Sequence, residues 1–192
     1  MKSDVRRQAL RLRDGLTEQE RRTKSKIITE RLISLETYQK AQSPMFYASF
    51  RSEVITIDLI VARLAKGLPV ILPLTLVDER RLVPYMITSM EKDVKRGAYG
   101  ILEPDPAKAS PFRPSDLDLV LVPGSVFDKN CTRHGYGGGF YDRFLAEEAP
   151  QATRIALAYS CQLFDRVESE PHDQKMDLII TETETIWCRT RH

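Results

Sequence analysis

Cysteine is scarce in this chain, which has only three among its 192 residues. Cys131, Cys161 and Cys188 are odd in number and fit no metal-ligand spacing, so the sequence predicts three free thiols rather than a disulfide framework or a zinc site. The amino terminus has no signal-peptide pattern, and no apolar run approaches the roughly 20 residues that a membrane span requires. We therefore expect a cytoplasmic protein with no membrane partner.

Charge of one sign is not in excess either, because the net charge is only +2. Hydrophobic residues make up 42% and charged residues 29%, which is ordinary for a globular protein, and the length predicts one domain over residues 1–192. Residues 1–30 nevertheless hold nine Lys or Arg against five Asp or Glu. These basic residues permit a nucleic-acid-binding hypothesis, but no base-stacking motif accompanies them, so we expect no nucleic-acid partner.

Glycine is also infrequent, yet four of the nine glycines fall within positions 135–139. Such clustering is typical of a chain that takes positive φ angles or lies close against a ligand, and bare backbone amides suit a polyphosphate. A Walker loop would need Lys-Ser or Lys-Thr where Phe140-Tyr141 stands, and the dinucleotide fingerprint would need glycine at Phe140. An uncommon phosphate loop remains, with a plain strand-to-helix connection as the alternative.

The same segment resembles the signature of the 5-formyltetrahydrofolate cyclo-ligases, also called 5,10-methenyltetrahydrofolate synthetases. The signature residues are Phe127-Asp128, Arg133 and the run 135–143. Further similarity extends along the chain, at Lys2 and Arg6, 53–56, 72–73, 97–104, 122–124, 171–173 and 181–182. A series of motifs in the family's order is far more specific than one glycine-rich loop.

Apolar periodicity predicts helices and strands that alternate along the chain. Ser3 is expected to cap a first helix that ends at Gly15, and Thr17 to Glu20 form a capping box for a second. Strands are predicted at 45–49, 69–73, 82–87, 117–122, 153–159 and 178–181, and further helices at 57–66 and 141–148. The pattern favours a mainly parallel sheet covered on both faces. The resemblance implies a three-layer α/β/α fold of the NagB/RpiA/CoA-transferase type.

Ligands of such sheets bind at the carboxyl ends of the strands, where these motifs fall. The resemblance implies the following ATP-binding residues: Lys2, Arg6, Arg133, His134, Gly135, Tyr136, Gly137, Gly138, Gly139, Phe140 and Tyr141. It implies substrate contacts at Ala48 and Glu53, Mg²⁺ ligands at Asp142 and Asp173, and catalytic roles for Arg133, Asp142 and Tyr141. For Asp142 or Asp173 taken alone, the competing interpretation is a helix cap or an ion pair. For Glu53, the competing interpretation is a surface ion pair with Arg51.

The reaction implied by the resemblance converts 5-formyltetrahydrofolate and ATP into 5,10-methenyltetrahydrofolate, ADP and phosphate, with Mg²⁺ as cofactor. We expect these small molecules as partners and a monomeric protein. The sequence departs from the family at Cys131, His134 and Phe140, where glycine, leucine and tyrosine are common. These departures keep open a second hypothesis, a paralogue that binds a folate or a nucleotide without turnover.

Overall fold

A large mixed sheet forms the centre of the protein in the computed structural model, which describes residues 2–188, with the side chains of Lys2 and Ser3 excluded. Five α-helices flank the sheet: α1 Lys2–Asp14, α2 Glu18–Ser34, α3 Glu36–Lys40, α4 Ile57–Ala65 and α5 Phe140–Arg143. One turn of π-helix, Phe144–Glu148, continues α5. No helix among residues 2–188 is both long enough and apolar enough to cross a bilayer.

Eight strands build the central sheet in the order β13-β12-β10-β7-β1-β2-β3-β6. Their bounds are Pro44–Met45 for β1, Val70–Leu76 for β2, Arg81–Ile87 for β3, Ser110–Pro111 for β6, Leu119–Val122 for β7, Thr153–Leu157 for β10, Leu178–Ile180 for β12 and Thr185–Trp187 for β13. The five strands from β12 to β2 are parallel, and β13, β3 and β6 pair antiparallel at the two edges. The predicted α/β class and mainly parallel sheet are confirmed.

Alternating side chains of the parallel strands enter two separate cores. On β7, Leu119 and Leu121 pack in the core that includes Ile28 of α2 and Ile60 of α4. Val120 and Val122 enter the opposite core, which includes Phe144 just after α5. Side chains that alternate along a strand point to opposite faces of the sheet, so helices cover both faces, as the alternation of predicted strands and helices indicated.

A small hairpin separates β7 from the glycine loop, which the sequence did not predict. Strands β8 (Val126–Asp128) and β9 (Arg133–His134) pair antiparallel, and β8 also pairs with β11 (Leu163–Phe164). The loop therefore follows β9 rather than β7. A second two-stranded sheet joins β4 (Val94–Arg96) to β5 (Leu102–Pro104).

Three local predictions are corrected. Cys131 and Cys188 form a disulfide with Cα atoms 6.0 Å apart, so only Cys161 is a free thiol. Ser3 lies inside α1 rather than before it. The helical spacing of Val5, Ala9, Leu12 and Leu16 predicts an apolar face on α1, but Leu12 is 48% exposed whereas the basic Arg13 is buried. The capping box of Thr17 and Glu20 is confirmed.

Candidate functional site

One pocket of about 690 Å³ opens at the carboxyl ends of the parallel strands. Every site residue predicted from the sequence lines it except Lys2, whose side chain lies outside the described residues. Helix α1, the segment after β1, the glycine loop 135–139 and the loop 170–173 form its walls. Parallel strands bring these distant segments to one edge of the sheet, which explains why they meet.

The glycine loop has the backbone geometry that its composition indicates. Gly137 and Gly139 have φ angles of 102° and 68°, which L-amino acids with side chains rarely adopt. A Cβ atom at Gly138 would lie 2.5 Å from the Phe140 ring, and one at Gly135 would lie 2.9 Å from Nη1 of Arg133. The loop ends directly at the first turn of α5, and both segments line the same pocket.

Arg133 and Asp142 form a largely buried ion pair beneath this loop. Nη2 of Arg133 lies 2.9 Å from Oδ1 of Asp142, and the two side chains are 2% and 14% exposed. Nη1 of Arg133 donates to the carbonyl of Pro123, and the backbone N–H of Gln174 donates to the same Asp142 oxygen. Asp142 therefore does form an ion pair, as the competing interpretation stated. This pair fixes the side chains of Arg133 and Asp142 at the pocket wall.

The second predicted metal ligand, Asp173, lies in an acidic group with Glu170 and His172 whose ligand atoms are all within 4.8 Å of one another. Nε2 of His172 is 3.2 Å from Glu170 and 3.6 Å from Asp173. Asp173 Oδ2 also accepts the backbone N–H of Glu170, as a turn cap would. Asp142 is outside this group but lines the same pocket. Carboxylate oxygens suit Mg²⁺, so the donor set fits the predicted ion.

Glu53 lies across the pocket, at the end of the segment that follows β1. Its Oε2 accepts the backbone N–H of Phe50 at 2.9 Å, and its Oε1 accepts the hydroxyl of Tyr136. Burial raises the pKa of Glu53 above its ordinary value, although the two hydrogen bonds and Arg13 act in the opposite direction. Among the described residues Glu53 takes these partners and forms no ion pair with Arg51, so the alternative of a surface pair with Arg51 is wrong. The Arg51 guanidinium carbon instead lies 5.1 Å from the centroid of the Phe50 ring.

Tyr136 and Arg13 complete this side of the pocket. Nη1 of Arg13 donates to the Tyr136 hydroxyl at 2.7 Å, and Nε of Arg13 donates to Ser52 at 2.9 Å. The guanidinium carbon of Arg13 also lies 5.7 Å from the centroid of the Tyr136 ring. Arg13 is 4% exposed, whereas Tyr136 is 50% exposed. The Tyr136 hydroxyl therefore joins a buried cation to the carboxylate of Glu53.

Three other predicted residues, Ala48, His134 and Tyr141, belong to the pocket wall. Ala48 is buried and contributes to the pocket wall, and burial raises the pKa of Tyr141, whose phenol stays protonated and able to donate a hydrogen bond. His134 also lines the wall, but its Nε2 contacts the backbone carbonyl of Glu168. The imidazole is 4% exposed, so it is held within the protein and not presented as a free surface group.

Arg13, Tyr99 and Glu103 are among the pocket residues to which sequence reasoning gave no role, although the last two lie in the motif 97–104. Arg13 follows Arg6 by seven residues, so both lie on one face of α1, and this spacing is a signal that could have found it. Tyr99 has a φ of 57° and is 67% exposed. Glu103 supports that loop, because its carboxylate accepts the backbone N–H groups of Ala98 and Thr75.

The fold and the pocket define the class of this protein. It is an α/β protein with a glycine-rich pocket, lined by cations, at the carboxyl ends of its strands. A family model for the 5-formyltetrahydrofolate cyclo-ligase family matches residues 1–182. The chain therefore belongs to the 5-formyltetrahydrofolate cyclo-ligase family, and it is an enzyme of the ligase class.

Individual relatives agree over nearly the whole chain. A 5-formyltetrahydrofolate cyclo-ligase of Haemophilus influenzae is 26% identical, over 90% of this chain and 92% of that protein. The solved structure of the Aquifex aeolicus 5,10-methenyltetrahydrofolate synthetase is 31% identical, with a TM-score of 0.86 over 100% of this chain and 94% of that one. The synthetase structure from Mycoplasma pneumoniae is 25% identical, with a TM-score of 0.75 over 94% and 98%.

Proposed function

We propose that this protein catalyses the ATP- and Mg²⁺-dependent cyclisation of 5-formyltetrahydrofolate to 5,10-methenyltetrahydrofolate, with release of ADP and phosphate. The observation that carries the proposal is the single pocket shared by the glycine loop, the Arg133–Asp142 pair and Glu53. Membership of the family supports the same reaction. The pocket volume of about 690 Å³ lies within the range of about 300–1,000 Å³ that is typical of ligand sites.

The chemistry requires activation of the formyl group. A formamide carbonyl is a poor electrophile, and its oxygen would have to leave as water. Transfer of the γ-phosphoryl group of ATP to this oxygen releases ADP and gives an imidate phosphate. N10 then attacks the formyl carbon, the C–O bond breaks with phosphate as the leaving group, and N10 loses its proton.

Phosphoryl transfer depends mainly on positioning and on neutralisation of charge, which the pocket residues provide. We propose that the amides of loop 135–139 and the side chains of Lys2, Arg6 and Arg133 hold the triphosphate. Asp173 and Asp142 would hold Mg²⁺, which neutralises phosphate charge when bound. Tyr141, as a neutral phenol, would donate a hydrogen bond, and Phe140 and Tyr141 offer aromatic surface to the folate rings.

The folate would be oriented by the opposite wall. The carboxylate of Glu53 is a hydrogen-bond acceptor on this wall and suits the N–H groups of a pterin. Ala48 contributes only its methyl group and backbone. Tyr85 and Met86 offer no wall to the folate, because they pack against the hydrophobic cores and are not among the residues that line this pocket.

A role for the basic amino-terminal helices in binding nucleic acid has less support. Several of their cations already pair with acids: Arg7 with Asp4, Arg22 with Glu18, Lys24 with Glu182 and Lys26 with Glu30. Arg6 and Arg13 line the pocket instead. We propose small-molecule substrates as the partners of this protein.

The direct test mixes the protein with Mg-ATP and 5-formyltetrahydrofolate and follows the near-ultraviolet absorbance of the conjugated methenyl product. Product formation that requires both ATP and Mg²⁺ is expected. No product above a protein-free control would overturn the proposal. Folate binding by calorimetry together with no ATP hydrolysis would instead identify a paralogue that binds without turnover.

A further inference from the structure

Tyr136 belongs to the glycine loop, yet its hydroxyl contacts the opposite wall of the pocket. It donates to Oε1 of Glu53 and accepts from Nη1 of Arg13 at 2.7 Å. Glu53 lies 83 residues earlier in the chain, so the bridge joins two walls that are otherwise distant in sequence. A side chain whose only role was to bind nucleotide would not need these partners.

Helix α1 contacts the loop at two points along one face. Arg6 approaches Gly137, since a Cβ atom added there would lie 3.3 Å from Nη1 of Arg6. Two turns later, Arg13 holds the hydroxyl of Tyr136. The cation proposed for the triphosphate and the cation that anchors the tyrosine therefore contact adjacent residues of the same loop.

The bridge leaves room for a ligand on Glu53. A carboxylate has about four lone-pair positions, and the protein donors Phe50 N–H and Tyr136 O–H occupy one on each oxygen. No hydrogen bond among the residues that the structure describes takes the remaining positions, and Glu53 lines the pocket, so the carboxylate suits two N–H groups of a ligand. Tyr136 thus fixes the rotation of the carboxylate without excluding the ligand.

We propose that Tyr136 is a positioning residue that couples occupancy of the glycine loop by nucleotide to folate binding at Glu53. This inference rests on the proposed function. A triphosphate held by the amides of 135–139 orders a loop with several glycines, which otherwise lose much entropy on ordering. The ordered loop holds the Tyr136 hydroxyl against Glu53, so the carboxylate is oriented before the folate arrives. By linkage, folate then strengthens nucleotide binding by the same factor.

The experiment measures the affinity for 5-formyltetrahydrofolate by calorimetry, with and without the Mg²⁺ complex of the non-hydrolysable β,γ-imido analogue of ATP. In the wild-type protein, the analogue should tighten folate binding at least about fivefold, the lower end of typical coupling between two sites. Tyr136→Phe removes only the hydroxyl, and the ratio should fall to within about twofold of unity. The unfolding temperature should also fall, because the buried Arg13 loses this acceptor, so binding is measured well below that temperature. Tyr85→Phe removes a hydroxyl outside the pocket and should retain the wild-type ratio.

A double-mutant cycle tests whether Tyr136 acts through Glu53. In a Glu53→Gln background, Tyr136→Phe should change folate affinity by less than about twofold, because effects that pass through a shared partner do not add. If Tyr136→Phe retained the wild-type coupling between nucleotide and folate, or if the effects of the two substitutions on folate affinity were additive, the proposed role of Tyr136 would be overturned and the proposed function would not. Wild-type protein that binds neither folate nor analogue would overturn the proposed function and the bridge together.

Discussion

Arg133 and Asp142 are joined by an ion pair of 2.9 Å in which the side chains are 2% and 14% exposed. The pair lies directly under the glycine loop and is tied to the loop 170–174 through the backbone N–H of Gln174. A buried guanidinium whose partner is removed keeps its desolvation cost without compensation. The pair therefore serves the structure as well as the proposed chemistry.

Asp142→Asn should lower both activity and stability. We expect turnover to fall at least 100-fold, which corresponds to roughly 3 kcal/mol of barrier. The amide keeps an oxygen acceptor but loses the charge, so the free energy of unfolding should fall by about 1–3 kcal/mol. Turnover and urea denaturation measure the two effects. Asp116→Asn is the control, because Asp116 forms an exposed ion pair with Arg113. This substitution should change turnover and the free energy of unfolding only slightly.

Asp173→Asn should separate activity from stability. Its side chain is mostly buried, but the asparagine oxygen can still accept the N–H of Glu170. Turnover is expected to fall at least 100-fold, about 3 kcal/mol of barrier, and to recover partly at high Mg²⁺. Titration of the rate with Mg²⁺ measures this change. A wild-type rate and Mg²⁺ dependence would rule out Asp173 as a ligand, and Asp58→Asn on the surface of α4 provides the control.

The sequence predicted the elements of this fold well where the apolar pattern was continuous. The runs at 117–122, 153–159 and 178–181 became the parallel strands β7, β10 and β12. It failed where short polar segments form strands through tertiary contacts. Strand β9 consists of Arg133 and His134 alone, and no period can be detected in two residues.

The sequence predicted which residues form the site, but it did not predict the contacts that these residues make with one another. The glycine cluster and its neighbouring cations line one pocket, as the motifs indicated. That Arg133 pairs with Asp142, or that Tyr136 reaches Glu53, depends on side-chain directions fixed only by the fold. Arg13 was missed because basic residues of amphipathic helices are usually solvent-exposed, and this one is buried beneath the loop.

Gly139→Ala should damage the nucleotide loop. Gly139 has a φ of 68°, and a Cβ atom there would lie 3.0 Å from Nη1 of Arg143. Alanine in this region of φ costs roughly 1–2 kcal/mol, so the loop should shift and the apparent ATP affinity should fall at least tenfold. Gly67→Ala is a close control, because its φ is 69° and nothing lies within 4 Å of the added atom. It should lose similar stability with unchanged ATP affinity.

Glu53→Gln should alter the pH dependence of stability. Burial raises the pKa of Glu53 above its ordinary value of 4.5, so the folded state binds this proton more tightly than the unfolded chain does. Its contribution to stability is therefore fully present below pH 4.5 and is lost as pH rises through the folded pKa. Glutamine has no such proton, so the wild-type protein should gain stability relative to the variant as pH falls through this window. Urea denaturation at a series of pH values measures the difference, with Glu91→Gln as an exposed control. A difference that is independent of pH, or that has the opposite slope, would show that the carboxylate of Glu53 is not desolvated in the folded protein.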